Sequence, residues 1–289
     1  MKKIKIHYFK VESYGAKTEP LETLLGKLAA VDISDRTKNC NYIDVRLDHL
    51  TPPTADKAYW LLRFSRFRND NWPAVATLEE AAKDLELDED EILSEETSML
   101  YAPASQRAVI QYNHFGVRAS KIQEYLLQSG AYGEGGHSLL PVLSSDALDK
   151  YADKKIVTAI DVVIDDVSAT DIAYFGGSGL QGAINQAVDG TARRMRVTFS
   201  VDARERKNQL DKGTVQKMVD KVLGRNGDND KLVVSAKADE DDAVEELNLL
   251  ESKKCVEYNA DSIPRTQGRR YSPDHMFALL EQAYREWEK

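Results

Sequence analysis

Two short groups of residues in this chain have types and spacing that chemistry uses. Gly177, Gly179 and Gly182 in GGSGLQG form a G-x-G-x-x-G, with Asp202 further along. Such a loop binds a dinucleotide when it leaves a strand directly and opens a helix, because backbone N–H groups then meet the pyrophosphate. Here ATDIAYF stands between the preceding Val/Ile-rich segment and the glycines. That order favours a bend between two helical pieces, and no cofactor is expected. Glu251-Ser252-Lys253 is an E-x-K on an expected strand, with aspartates in the connection before it. Metal-dependent nucleases use an aspartate and such a pair to hold a divalent ion and position water. A solvated hairpin is the plainer alternative. His7, His49, His114, His137 and His275 are scattered, with no HxxxH and no neighbouring cysteine, so no zinc site is expected. No Ser-His-Asp or Cys-His arrangement announces a nucleophile.

The basic residues are more concentrated than the net charge suggests. In RRMRVTFS, Met195, Val197, Phe199 and Val201 alternate with Arg194, Arg196, Thr198 and Ser200, the pattern of a half-buried strand with guanidinium groups on its wet face. Arg204, Arg206 and Lys207 follow, and Lys217, Lys221 and Arg225 lie on or after the next helix. Phosphate binding needs several cations on one surface, since affinity grows with the counterions released. If strand and helix are neighbours, these eight residues form one phosphate-contacting stripe, and reversing Arg194 and Arg196 to Glu abolishes DNA binding. The alternative is that they pair with the acidic runs, within the chain or across a dimer. Arg66 with Arg68, and Arg265 with Arg269 and Arg270, are two weaker basic groups. No aromatic–basic stacking motif of the usual kind is visible along the sequence.

Positioning these residues is the task of an ordinary globular chain: 289 residues, 42% apolar, 30% charged, formal net charge -9. The acidic balance argues mildly against indiscriminate nucleic-acid binding. The acids are concentrated between Glu79 and Glu96 and between Asp239 and Glu251. Cys40 and Cys255 are far apart and suggest neither a disulfide framework nor a metal site, as in a reducing cytosol. No run approaches the ~20 apolar residues of a membrane span, and MKKIKIHYFKV is too interrupted for a signal peptide. A cytoplasmic location without membrane insertion is expected.

The periodicity predicts strands at IKIHYFKV, NYIDVRLDHL and AYWLLRFSRFR, a helix at LETLLGKLAAVD, and a hairpin at SMLYAPASQRAVIQYN turning at Pro103, Ala104 and Ser105. TLEEAAKDLELDEDEIL predicts one or two acidic helices capped by Thr77, and ASKIQEYLLQSG a helix closed by Gly130. In the second half KKIVTAIDVVID predicts a strand and TVQKMVDKVLG a helix with Val215, Met218, Val219, Val222 and Leu223 inward. KLVVSAKADEDDAVEELNLLESKKCVEYN predicts a hairpin with an acidic connection, and SPDHMFALLEQAYREWEK a closing amphipathic helix with proline at its first turn. The expected fold class is α+β, with largely antiparallel or mixed sheets. A boundary near Asp153 separates an N-terminal α+β domain (1–153), carrying the acidic helical insert, from a C-terminal α+β domain (154–289) carrying the basic strand and helix.

Three stretches resemble the RexA-like phage-exclusion proteins and related bacterial phage-defence proteins. They are MLYAPASQRAVIQYNHFGVRASKIQEYLL, VVSAKADEDDAVEELNLLESK and the closing helix. The resemblance implies a cytosolic, two-domain homodimer that binds double-stranded DNA with little sequence preference and signals to a protein partner, a membrane protein. It supplies no catalytic residues. The expected function is therefore non-enzymatic nucleic-acid binding in abortive-infection defence through Arg194, Arg196, Lys217 and Lys221, with Arg204, Arg206, Lys207 and Arg225 at the margin. The alternatives are a module docking an acidic protein partner, and a metal-dependent nuclease using Glu251 and Lys253.

Overall fold

The computed structural model describes residues 3–68, 72–130, 135–202, 208–225, 227, 229–267 and 270–288. In chain order the first elements are β1 (Lys3–Tyr14), α1 (Leu21–Ala29), β2 (Thr37–Asn39), β3 (Asp44–Thr51), β4 (Trp60–Arg68), β5 (Leu93–Ala102), β6 (Arg107–Tyr112), α2 (Ala119–Ser129), β7 (Gly136–Pro141) and α3 (Ser145–Ala152). Next come β8 (Ile156–Asp165), α4 (Ala169–Tyr174), α5 (Gln181–Asp189), β9 (Arg194–Ser200), α6 (Lys212–Arg225), β10 (Lys231–Lys237), β11 (Glu245–Asn248), β12 (Cys255–Asn259) and α7 (Pro273–Glu288). The class is α+β, as the mixed periodicities predict.

Two compact units divide the chain, and neither is continuous in sequence. The first comprises Met1–Ile6, Ser13–His137 and Glu257–Lys289; the second comprises His7–Glu12 and Ser138–Val256. A single cut near Asp153 would assign residues 257–289 to the second unit, whereas α7 packs on β5 and β6 of the first. Local periodicity reveals that α7 has an apolar face. It does not reveal which sheet that face covers.

In the first unit β2, β3, β4, β5 and β6 form an antiparallel meander, within a strand order β12-β1-β6-β5-β4-β3-β2. The 3-10 turn at Pro103–Ser105 joins β5 to β6, as expected, with Gln106 left-handed after it. The two faces of the meander follow from its register. Phe64 meets Tyr125 of α2, with ring centroids 5.5 Å apart, so Leu62, Phe64, Arg66 and Arg68 share the α2 side. His49 pairs with Arg63 and meets Phe277 of α7 at 5.5 Å, so Arg63 and its cross-strand partner Ser98 share the α7 side. Met276, Phe277, Leu280 and Tyr284 are buried along α7, each such side chain contributing about 1.5–3 kcal/mol.

The acidic segment departs from expectation, since residues 75–92 form no helix. Thr77 Oγ1 does accept from the backbone N–H groups of Glu79 and Glu80, at 3.2 and 3.0 Å, so the cap forms without its helix. Leu78 is fully exposed, and only Leu85 and Leu87 are half-buried. A short helix needs an apolar face to pack. This one has no surface to rest on, and its carboxylates repel at helical spacing. The chain instead closes an isolated bridge between Val75 and Lys83.

The second unit's sheet has the order β11-β10-β8-β9, every pairing antiparallel. Ile160, Val162 and Ile164 of β8, Met195 of β9, and Leu232 and Val234 of β10 face one way. They pack with Phe175, Leu180, Ile184 and the apolar stripe Val215, Met218, Val219, Val222 of α6. All the helices of this core therefore lie on one side of the sheet. The glycine loop is the expected bend: α4 separates it from β8, Gly177 has φ +73, and α5 begins at Gln181. Gly179 lets the loop approach α6, since a Cβ there would sit 2.2 Å from Met218 Cε.

Candidate nucleic-acid interface

The strand arginines stand where the alternation predicts, with Met195 buried and Arg194 and Arg196 exposed. Asp161 of β8 meets Arg196 across the strands, while Arg194 stands opposite Asp165. Arg196 donates to Asp161 from Nε at 2.9 Å and from Nη2 at 2.7 Å, and Thr198 Oγ1 donates at 2.9 Å. The hydrogen bonds from Arg196, foremost, hold the Asp161 carboxyl below its ordinary range. Arg193 is likewise paired, with Asp166 at 2.9 Å. The register places Lys231 of β10 beside Val163, on the same outer face as Asp161, Asp165, Arg194 and Arg196. The sheet's outer face is thus mixed in sign.

The α6 cations do not join these arginines. Because the apolar stripe of α6 lies on the sheet's inner face, Lys217 and Lys221 sit on the far side of the helix layer. The sheet itself separates them from Arg194 and Arg196, so the single stripe expected from the sequence is not assembled. Lys221 Nζ stands 4.7 Å from the Tyr174 ring centroid.

Arg225 belongs to the interior. Its Nε donates to Asp171 Oδ1 at 2.7 Å, its Nη1 to both Asp230 oxygens at 2.8 Å, and its Nη2 to the Asp165 and Asp166 carbonyls at 2.8 and 3.1 Å. Burial works against its charge, and the Asp230 and Asp171 carboxylates outweigh burial and hold its pKa above the ordinary value. Arg225 ties α6 to the ends of β8 and β10 and offers nothing to phosphate. Arg204, Arg206 and Lys207 lie outside the described residues.

The E-x-K also changes character. β11 ends at Asn248, so Glu251 lies in the following turn, while Lys253 forms an isolated bridge with Leu143. The strand face that would aim both side chains at one ion is missing. Among the described residues no group of three or more His, Cys, Asp or Glu side chains is placed to hold a metal.

A different basic surface is assembled in the first unit, around the weaker pair Arg66 and Arg68 at the end of β4. The loop between β6 and α2 folds over them. Arg66 Nη1 donates to the Phe115 carbonyl at 3.3 Å, and the Arg68 guanidinium lies 5.8 Å from the Phe115 ring centroid. Arg118, just before α2, stacks on Tyr112 at 4.3 Å and donates from Nη2 to His114 Nδ1 at 3.2 Å. His114 meets Phe115 edge-on at 4.9 Å. Trp72 Nε1 donates to the Arg68 carbonyl at 2.7 Å. Three guanidinium groups thus alternate with aromatic rings in one patch. The rings face water: Phe115 is 56% exposed, Tyr112 40% and Trp72 40%.

Asn113 and Gly116 fix this loop. Asn113 Nδ2 donates to the Glu96 carbonyl at 2.9 Å, and Asn113 Oδ1 accepts from the Phe115 N–H at 3.2 Å. A Cβ on Gly116 would lie 2.5 Å from Thr97 Oγ1 and 2.9 Å from Asn113 Nδ2, so only glycine permits the approach. No sequence motif marks the patch, because its halves are far apart along the chain. The one local signal is YNHFG (112–116), where two rings and an imidazole crowd a turn outside any apolar period.

The third basic group lies on the other face of the same sheet end. Arg265 stacks on Tyr271 at 5.0 Å, and Arg270 Nη1 donates to Glu96 Oε1 at 3.0 Å. Both line a cleft of about 490 Å³. Arg269 lies outside the described residues.

No helix among the described residues is long and apolar enough to cross a membrane. No curated protein matches the chain. A protein-family model described as a family of unknown function, DUF6731, matches residues 1–289, and the chain belongs to that family.

Proposed function

We propose that the protein is a cytosolic, non-enzymatic nucleic-acid-binding protein that grips single strands with little sequence preference. Arg66, Arg68 and Arg118 would contact phosphates, and Phe115, Tyr112 and Trp72 would stack on bases. The observation that carries this reading is the alternation of guanidinium groups and exposed rings around Phe115. Sequence-tolerant single-strand binders combine these two elements, because every unpaired base offers a π face. A duplex hides those faces and calls for a longer row of cations. Arg194 and Arg196 are divided from Lys217 and Lys221 by a sheet, which is why the expected double-stranded ligand gives way here to a single strand. The resemblance to phage-exclusion proteins supplies a setting, infection, in which exposed single strands arise.

Fluorescence anisotropy of labelled oligothymidylate tests the reading. Arg66→Glu with Arg68→Glu should abolish binding in a protein that still melts cooperatively, and Phe115→Ala should cost about 1–3 kcal/mol. Unchanged affinity in the folded double variant would overturn it.

A second reading rests on the outer face of the second unit's sheet, where Arg194, Arg196 and Lys231 stand among Asp161 and Asp165. Such mixed charge suits a protein partner better than a phosphate backbone. Co-purification of a protein that is lost on reversing Arg194 and Arg196 to Glu would favour it.

A further inference from the structure

Within the first unit, the cleft of about 490 Å³ lies on the α7 side of the meander and is bounded at one end by the β6–α2 loop. Its volume falls in the range of small-molecule sites, about 300–1,000 Å³. Three guanidinium groups converge on it: Arg63 from β4, and Arg265 and Arg270 from the segment before α7. Lys3 also lines the cleft, and Glu95 and Glu96 answer only part of the combined charge. A single oxygen, Glu96 Oε1, takes the hydrogen bond from Arg270 at 3.0 Å and lies 3.4 Å from Arg63 Nε. Arg63 Nε is buried and makes no hydrogen bond, and the buried Tyr271 hydroxyl makes none either. Buried donors without acceptors are costly to leave so. Tyr112 and Phe115 line the cleft as well as the outer patch.

A buried hydroxyl without a partner, clustered guanidinium groups and aromatic side chains together call for a ligand that is anionic at one end and planar at the other. Guanidinium groups recognise phosphate through paired, charge-assisted hydrogen bonds. From this geometry we infer that the cleft binds a nucleoside monophosphate, with the phosphate toward Arg265, Arg270 and the Tyr271 hydroxyl and the base toward Tyr112 and Phe115. The inference rests on the nucleic-acid reading for its choice of ligand. It adds a discrete site that holds one nucleotide, either free or at the end of a strand.

Calorimetric titration of the full chain with AMP tests it. Wild-type protein should bind AMP, and Arg265→Ala with Arg270→Ala should weaken binding by at least about tenfold, the loss expected for charge-assisted hydrogen bonds. Tyr271→Phe, which removes one oxygen and leaves the ring, should weaken it severalfold and serves if the double variant fails to fold. Arg194→Glu with Arg196→Glu, in the second unit, should leave AMP affinity within about twofold, because those residues do not line the cleft and share no partner with it. A 5′-phosphate that tightens oligothymidylate binding to the wild type alone identifies a strand end as the source. AMP binding without that effect identifies the free nucleotide. AMP failing to bind, or binding the cleft variants as tightly as the wild type, overturns the inference. In that case oligothymidylate binding, if retained, leaves the strand-binding reading standing. If oligothymidylate fails while AMP binds, only the strand reading falls.

Discussion

The guanidinium of Arg68 lies 5.8 Å from the centroid of Phe115, a ring brought to it from the loop beyond β6. One hairpin separates the two in the fold: β4 runs antiparallel to β5, and β5 to β6. The meander therefore brings the end of β4 and the end of β6 to the same edge of the sheet. Cation and ring meet there, and the first unit owes its candidate site to that topology.

Arg194 and Arg196 should prove dispensable for this binding. Arg196 is engaged by Asp161 on a sheet face of mixed charge, in the other unit from the patch. Arg194→Glu with Arg196→Glu is expected to leave oligothymidylate affinity within about twofold, as expected for distant sites. The stability change should be small too, since exposed ion pairs are screened by water and contribute little. Anisotropy and thermal melts check both, and abolished binding would return the site to β9.

Gly116→Ala should weaken binding without altering any cation or ring. The new methyl meets Thr97 Oγ1 and Asn113 Nδ2 at sub-contact distances and must push the loop outward. Overpacking of this kind costs about 1–3 kcal/mol of stability, and the displaced loop carries His114 and Phe115 with it. Anisotropy at a temperature where the variant stays folded should register the loss.

Arg225→Ala should be the most damaging single change among the basic residues chosen from the sequence. It leaves Asp230 and Asp171 buried without their cation, and breaking a buried pair from one side costs about 3–5 kcal/mol. Denaturant titration should show this. A cost below 1 kcal/mol, on the scale of exposed pairs, would contradict the interior role.

The periodic elements were legible in the sequence for a physical reason: their apolar residues are set by a single face. That is true of β9, α6 and α7, and Met195 and Arg196 separate as the alternation predicts. What periodicity lacks is the partner of each face. It cannot show that α6 covers the inner side of the sheet whose outer side carries Arg196, or that α7 returns to the first unit. Arg225 reads in sequence like any other surface cation, because Asp171 and Asp230 lie on separate elements. The patch at Phe115 was hidden for the same reason, and the acidic segment misled because a helical pattern needs a surface to pack on.

Acid should destabilise the first unit through two imidazoles. His137 is buried, with Nδ1 3.1 Å from Ser13 Oγ, and burial pushes its pKa below the ordinary 6.5. His49 is lowered by burial and by the Arg63 charge. The native imidazoles stay neutral while the unfolded chain takes up protons, so their contribution is complete above about 6.5 and is lost as pH falls through the lowered native values. Melting temperature should fall over that window, and His137→Gln should flatten the slope. An identical slope in the variant would contradict the assignment.

The most direct measurement is the anisotropy of labelled oligothymidylate and of a matched duplex with the wild-type protein across a salt series. Binding of the single strand should be tighter than that of the duplex. Its affinity should fall linearly on a log–log plot with a slope near −0.7 per phosphate contact, or about −2 for the three arginines. Absence of single-strand binding at low salt, or a preference for the duplex, would contradict the claim that Arg66, Arg68, Arg118 and the rings around Phe115 form a nucleic-acid interface.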